Sequence, residues 1–353
     1  MNNDPVVSNF LDLVQIDSPS GREGALAEYL ISRLKKSGLI FKSDSRGNLF
    51  ARNSSVGDPV LLCAHLDTVE PGIGINPQII DGVIGSDGNT ILGADNKAAL
   101  AAILTALESV DSKNQRPLEI IFSVEEETKS GIKDFDFTKL KSKSGLIADR
   151  SAPLGGIVTG APWILNLNIY ITGKGVHASR PEQGINAISI AAAAIKSTVW
   201  GRYDEETTTN IGLISGGSAM NSVPESVTLI GEIRSFQKKS LEKAKSEIQS
   251  QFQKVCKSLG GKLVFDVNEY CIGYLHNPKD PEIIKLIDMF NKLGLKPYLE
   301  NVYGASDANA FNAHGIKVVT IADGGEFAHT VRESVKISDL NLLLKIFQAY
   351  ITS

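Results

Sequence analysis

A histidine and an aspartate, His65 and Asp67, stand two residues apart where the apolar run "PVLLCA" stops. Residues i and i+2 of a strand share a face. The Asp67 carboxylate can therefore accept a hydrogen bond from the ring nitrogen of His65 that is not otherwise used, fixing its tautomer and orientation. Other apolar runs end in the same chemistry: "LEIIFSV" runs into Glu125, Glu126 and Glu127, "GLIA" into Asp149, and "KVVTIA" into Asp323, with His329 shortly beyond. Imidazoles and carboxylates gathered on one sheet edge repel one another or stay unsatisfied unless a cation sits among them. Nitrogen and oxygen donors without thiolate are the ligand mix of zinc, cobalt or manganese hydrolases, so one divalent ion or a pair would answer the pattern.

Taken singly, each residue has a plainer reading. Asp95 opens the helix "ADNKAALAAILTALESV" and alone would be a helix cap. The three glutamates could form a solvated turn, Asp149 could be any loop acid, and His329 a surface histidine. Convergence selects the metal reading, because ligands of open α/β sheets bind beyond the carboxyl ends of the strands. Rival chemistries lack their parts. No GxSxG is present, and "GASDA" at 304–308 lacks the closing glycine. Cys63 lies mid-strand, where it reads as core. No GxxxxGK[ST] occurs, and "GIG" at 72–74 does not extend to GxGxxG.

The elements that must carry these residues alternate in type. Residues 5–15 and 22–37 have helical spacing, with Gly38 as a stop. The strands "LIFKSD", "NLFAR" and "PVLLCA", the Ala- and Leu-rich helix and the strand "LEIIFSV" follow. Such alternation implies an α/β sheet covered on both faces. From Trp163 the order becomes strand, helix, strand, strand, helix, strand, ending in "KLVFDVNEYCI", a βαββαβ unit of ferredoxin-like type. After about residue 275 the α/β pattern returns, so residues 1–161 and 276–353 form one discontinuous domain and 162–275 an inserted one.

Composition excludes several classes. The 353 residues carry 36 Lys and Arg against 40 Asp and Glu, a net charge of −4, which argues against nucleic acid or an anionic membrane as the main partner. No apolar stretch reaches the roughly 18 residues of a membrane helix. The N-terminus shows no signal-peptide pattern. Three scattered cysteines suit a reducing compartment, so a cytoplasmic protein is expected.

In order along the chain, "HLDTV", "GADNKAALAAIL", "EEETKSG", "GKGVHASRPEQGINAI", "NSVPE", "GEIRS", "GASDA" and "HTVRE" resemble the motifs of the dinuclear-zinc exopeptidases, the family of peptidase T, glutamate carboxypeptidase, succinyl-diaminopimelate desuccinylase and the aminoacylases. The resemblance spans essentially the whole chain. It implies a mixed-sheet catalytic domain with an inserted lid and dimerisation domain, a homodimer, and two divalent ions, zinc first, with cobalt or manganese accepted. His65 and His329 would each bind one ion, Asp95 would bridge, Glu127 would serve one ion and Asp149 the other. Glu126 would be the general base, with Asp67 orienting His65. His177 would reach a partner subunit's site to stabilise the oxyanion. Asn221 and Arg234 would contact substrate from the lid, and Ser306 and Asp307 would line the substrate pocket.

The chain departs from the family pattern at two places. Asn96 follows the bridging aspartate where a second acid is usual, and Lys129 stands where a glycine is usual. Three consecutive glutamates leave the register open by one residue, although spacing to Gly131 favours Glu126 as base and Glu127 as ligand. Two substrate classes follow from the scaffold. The first is a peptidase T-like aminopeptidase on short peptides, suggested by "LGADNKAALAAIL" and "EEETKSG". The second is a carboxypeptidase or N-acyl-amino-acid deacylase, suggested by Arg234, whose guanidinium suits a substrate carboxylate. A catalytically silent, peptide-binding dimer is the third reading, and it would be expected to lack a ligand or the base.

Overall fold

In a computed structural model, residues 4–53, 55–129 and 131–353 are described. The chain divides into two compact units, one of residues 1–159, 276–301 and 306–353, the other of residues 160–275 and 302–305.

The first unit is built on a mixed sheet. Seven of its strands run in the order Ile40–Ser43, Leu49–Arg52, Leu118–Ser123, Val60–His65, Ser144–Ala148, Lys317–Ile321 and Gly156–Ala161. The four strands in the middle of that order pair in parallel, and antiparallel partners flank them. Every residue of Val60–His65 and of Leu118–Ser123 is buried, as expected of parallel strands covered on both faces. That burial explains their unbroken apolar sequence.

The helix Ala94–Ser109 lies against the Val60–His65 strand and between the helices Pro5–Val14 and Ile337–Thr352. It is buried on every side from Asn96 to Leu107, so it carries no polar stripe. Its alanines keep it slim enough to be enclosed. Regular helical backbone begins only after Asn96; Gly93 at φ +71 turns the chain into it, and the Asp95–Asn96 peptide is cis.

A second, four-stranded sheet of two- and three-residue strands joins Gln78–Ile80 and Val83–Gly85 to Gly325–Glu326 and Ser334–Lys336. No periodic pattern marks such short strands, and the sequence reading does not contain them.

The second unit is an antiparallel sheet with strand order Thr207–Gly216, Ser226–Ser235, Trp163–Thr172, Lys262–Cys271, extended by the short Gly201–Arg202. With helices Ala187–Lys196 and Lys238–Ser258 this is the split βαβ arrangement expected from the sequence. Leu241, Ala244, Ile248, Phe252 and Cys256 supply the buried stripe of the longer helix, and its Lys and Glu face water. Residues 210–216 lie beyond the short strand that covers the start of their own, which leaves Leu213 and Ile214 exposed at a sheet edge.

Candidate metal centre

Each expected ligand of the first unit arrives from the end of a different element. His65 closes its strand, Asp149 follows the strand Ser144–Ala148, Asp95 stands before the regular turns of the buried helix, and Glu127 lies in the four-residue helix Glu126–Lys129. His329 sits in the loop between two short strands, at φ +64. Together these residues form two overlapping groups, His65–Asp95–Asp149 and Asp95–Glu127–His329, each with its ligand atoms within 4.8 Å of one another. Asp95 belongs to both, with Oδ1 3.1 Å from His65 Nε2 and Oδ2 3.4 Å from His329 Nε2. His65 Nε2 also lies 3.6 Å from Asp149 Oδ1, and His329 Nε2 lies 2.8 Å from Glu127 Oε1. A third combination, His65, Glu126 and Glu127, brings the Glu126 carboxyl to the same space.

The three consecutive glutamates part company. Glu125, at φ +52, turns its carboxylate to Arg46, 3.2 Å away. Glu126 and Glu127 donate their main-chain N–H groups to the two oxygens of Asp67, at 2.9 and 3.1 Å. Asp67 is fully buried and also accepts from Ser20 Oγ at 2.6 Å. The expected Asp67 carboxylate contact to His65 is long, 3.4 Å from Nδ1 to Oδ1. Nδ1 instead donates to the main-chain oxygen of Asp67 at 2.9 Å, because the carboxylate is engaged by the glutamate turn. The outcome for the imidazole is the same, since a carbonyl can only accept; Nδ1 carries the hydrogen and Nε2 faces the acids.

Electrostatics mark the cluster as built for a cation. Burial alone would lower the His65 pKa, but the carboxylates of Asp149, Asp67 and Asp95 around its ring nitrogens hold it well above the ordinary range. Hydrogen bonds to Asp95 and then Glu127 push His329 up to about 10. Burial would raise Asp95, yet both histidines hold it well below the usual carboxylate range. Burial raises Asp149. It also raises Glu126, with Asp149 adding to the effect. The two histidine shifts show carboxylates that favour positive charge among them, and the nitrogen–oxygen donor set suits divalent ions.

Asn96, the departure from the family pattern, has a role in this geometry: its Nδ2 donates to Ala148 O at 2.6 Å and to Asp149 Oδ1 at 3.0 Å, orienting that carboxylate. Asp323, at the end of its strand, accepts from Gly325 N at 2.7 Å and belongs to neither ligand group. Ser306 caps the helix Asp307–Ala313. Asp307 differs from expectation. It is 2% exposed and accepts a short hydrogen bond from Ser123 Oγ, with Cys63 Sγ 3.7 Å away, so it lies under the strand ends and not on a pocket wall. The helix start turns its side chain inward, where the last residue of the glutamate strand supplies a partner.

Three expected residues belong to the second unit. His177 is exposed, with Nδ1 2.8 Å from Ser179 Oγ. Asn221 is exposed and accepts from Ala178 N through its main-chain oxygen. Arg234 is already engaged: its Nε and Nη2 meet both oxygens of Glu232 at 2.7 and 2.9 Å, and Nη1 donates to Tyr303 O. His276 lies in the loop where the first unit resumes, and it is buried, with Nε2 3.1 Å from Val318 O. His314 meets the Ala310 carbonyl and stacks on Phe137, a structural position.

Comparison with known proteins agrees with this geometry. Residues 160–259 match the family model described as the peptidase dimerisation domain of the M20 class. The aminopeptidase PepT of Bacillus cereus is 34% identical with a TM-score of 0.92, covering 100% of this chain and 98% of that one. A tripeptidase of Staphylococcus aureus is also 34% identical, with a TM-score of 0.94 over 100% of this chain and 98% of that one. A dinuclear metal-binding peptidase of the M20 family from Bacillus subtilis shares the fold at 15% identity, with a TM-score of 0.75 over 98% of this chain and 96% of that one.

Proposed function

We infer the activity of this chain from one premise: it belongs to the M20 family of metallopeptidases, among the peptidase T-like members. It is a metal-dependent aminopeptidase of that type, and we propose that it removes the N-terminal residue from short peptides, tripeptides foremost. The observation that carries this reading is the pair of ligand groups that share Asp95 beside the Glu126 carboxyl.

Zinc is the ion proposed, with cobalt and manganese able to replace it. His65, Asp95 and Asp149 would hold one ion, and Asp95, Glu127 and His329 the other. Bound there, the pair would polarise the scissile carbonyl and lower the pKa of water. The protein's own groups do the rest. Glu126 takes a proton from the attacking water onto a carboxylate oxygen and returns it to the leaving amine. Asp67 holds Glu126 and Glu127 in register through their amides.

Homodimerisation through the second unit is supported by the dimerisation-domain match and by the open edge at 210–216. In the dimer, exposed His177 is proposed to stabilise the oxyanion in the partner's site, with Asn221 contacting substrate. Arg234 is proposed to meet substrate only if it leaves Glu232, and that engagement weakens the carboxypeptidase or deacylase alternative. A cytoplasmic setting is supported by the cysteines, which form no disulfide among the described residues.

A digestion panel read by mass spectrometry tests the reading: a tripeptide, its N-acetyl form and its C-amide, each with zinc or cobalt and with a chelator. Cleavage of the free and amidated peptides, abolished by acetylation and by chelation, is expected. Cleavage that survives acetylation but not amidation would establish the carboxypeptidase or deacylase chemistry instead.

A further inference from the structure

One buried acid near the centre is used by none of the roles above. Glu333 is 2% exposed and lies four residues after His329. Its Oε2 accepts from the main-chain N–H groups of Leu92 and Gly93, at 2.9 and 2.6 Å, and its Oε1 accepts from that of Asp95 at 3.0 Å. Three amides of the turn that presents the bridging aspartate thus converge on one carboxylate, as anions bind at the start of a helix. The same two stretches are joined again on either side. Ser86 Oγ reaches Thr90 O at 2.5 Å and Val331 O at 3.4 Å, and Ser334 and Val335 pair with Gly85 and Ile84. Glu333 N in turn donates to Thr330 O at 3.0 Å, which closes the loop directly after His329.

His329 needs such a tether. Its ring is half exposed, its backbone is left-handed, and no central strand fixes it. Three glycine-free residues separate the imidazole from the Glu333 anchor, so a carboxylate seated on Leu92, Gly93 and Asp95 limits where the ring can go. We propose that Glu333 is a positioning residue for the metal centre: by tying the Asp95 turn to the His329 loop it preassembles the Asp95–Glu127–His329 group. Without it the loop must be ordered when the ion binds, and that entropy is subtracted from affinity. Of the first group only the shared Asp95 meets this tether, since His65 and Asp149 are placed by strand ends and Asp95 Oδ1 is also held at His65; the second group depends on it through both Asp95 and the His329 loop. The inference rests on the reading of the cluster as a dimetal site.

The test is a cobalt titration of the metal-free full chain, followed by visible absorption and by metal content after desalting. Wild type, Glu333→Gln, Glu333→Ala and His329→Ala are compared, each checked for folding by circular dichroism and melting temperature. Wild type should take up two ions. Glu333→Ala should weaken one of them by ~10- to 100-fold, the same ion that His329→Ala loses, and leave the other within a few-fold. Glu333→Gln should fall between, since the amide keeps one accepting oxygen but turns an N–H₂ toward the remaining amides. Wild-type affinity for both ions in folded Glu333→Gln and Glu333→Ala would overturn the proposal, as would equal weakening of both ions, the mark of a general prop. If Glu333→Ala does not fold, Glu333→Gln decides alone by the same two criteria. A wild-type chain that takes up fewer than two ions would instead sink the dimetal reading itself.

Discussion

The two ligand groups share Asp95 but are built by different means. One is part of the sheet: His65 is the last residue of a buried parallel strand, and Asp149 follows the adjacent one. Neither can shift without breaking a hydrogen-bonded ladder. The other is assembled from a four-residue helix and a loop, and the His329 side chain is 50% exposed where that of His65 is 2%. Burial makes the first group rigid and electrostatically costly, because carboxylates crowded out of water need a cation. Exposure makes the second cheaper but in need of tethers. A dimetal site can thus combine a fixed half with an adjustable one, and the Glu126 carboxyl, the proposed base, stands beside His65 and Glu127.

The largest effect should come from silencing the base while leaving both halves intact. Glu126→Gln is expected to cut kcat by ~10²- to 10⁴-fold, with metal content unchanged by elemental analysis. Glu125→Gln, one residue away, should change kcat by less than about 3-fold, because its carboxylate faces Arg46 and its loss is that of a partly exposed ion pair. The reverse outcome would shift the register by one residue and reassign base and ligand together.

A sharper test of the comparison removes one imidazole from each half in the metal-free chain. His65→Ala removes the buried imidazole between Asp95 and Asp149 and should cost about 3 kcal/mol of stability. His329→Ala removes an imidazole that is itself half exposed, and should cost less, about 1 kcal/mol. Denaturant unfolding of both variants, after chelation, measures the difference. Equal losses would break the distinction between a built-in half and a tethered one.

The same distinction governs what could be read from sequence. The fixed half was legible, since apolar runs announce buried strands and a polar residue at the end of such a run is conspicuous. His65, Asp67 and Asp149 stand out in the sequence that way. The adjustable half was not. His329 could be noticed only as a histidine beyond a strand, and the small sheet that frames its loop has strands of two and three residues, too short for any period. The glutamate register depended on Arg46 and on both oxygens of Asp67, contacts made across the fold by residues far from Glu125 in the chain. Glu333 lay within a recognised motif, "HTVRE", but the signal that it is buried under three amides exists only in three dimensions. Asp307 follows a loop-like stretch that reads as a pocket wall, but the structure turns its side chain into the interior.

Asp307 offers the smallest effect, and it probes the ground under the fixed half. Burial pushes its carboxyl up to about 7, against the opposing hydrogen bond from Ser123. One of its oxygens, Oδ1, is buried without a hydrogen-bond partner among the described residues, as suits a carboxyl that keeps its proton. A folded-state pKa above the unfolded value of 3.8 means that the unfolded chain releases this proton first. The group therefore favours folding below about pH 4 relative to pH 7, and its contribution declines as pH rises through that window. Asp307→Asn removes the titration while its amide oxygen can still accept from Ser123. In the metal-free protein, the melting temperature of the variant relative to wild type should therefore rise between pH 4 and pH 7, by about 2–4 °C for each kcal/mol of difference in a unit of this size. A constant offset across that range would mean that Asp307 carries the same charge in folded and unfolded chains. The floor of the fixed half would then be an ionised carboxylate, and its strand ends would need the cation even more.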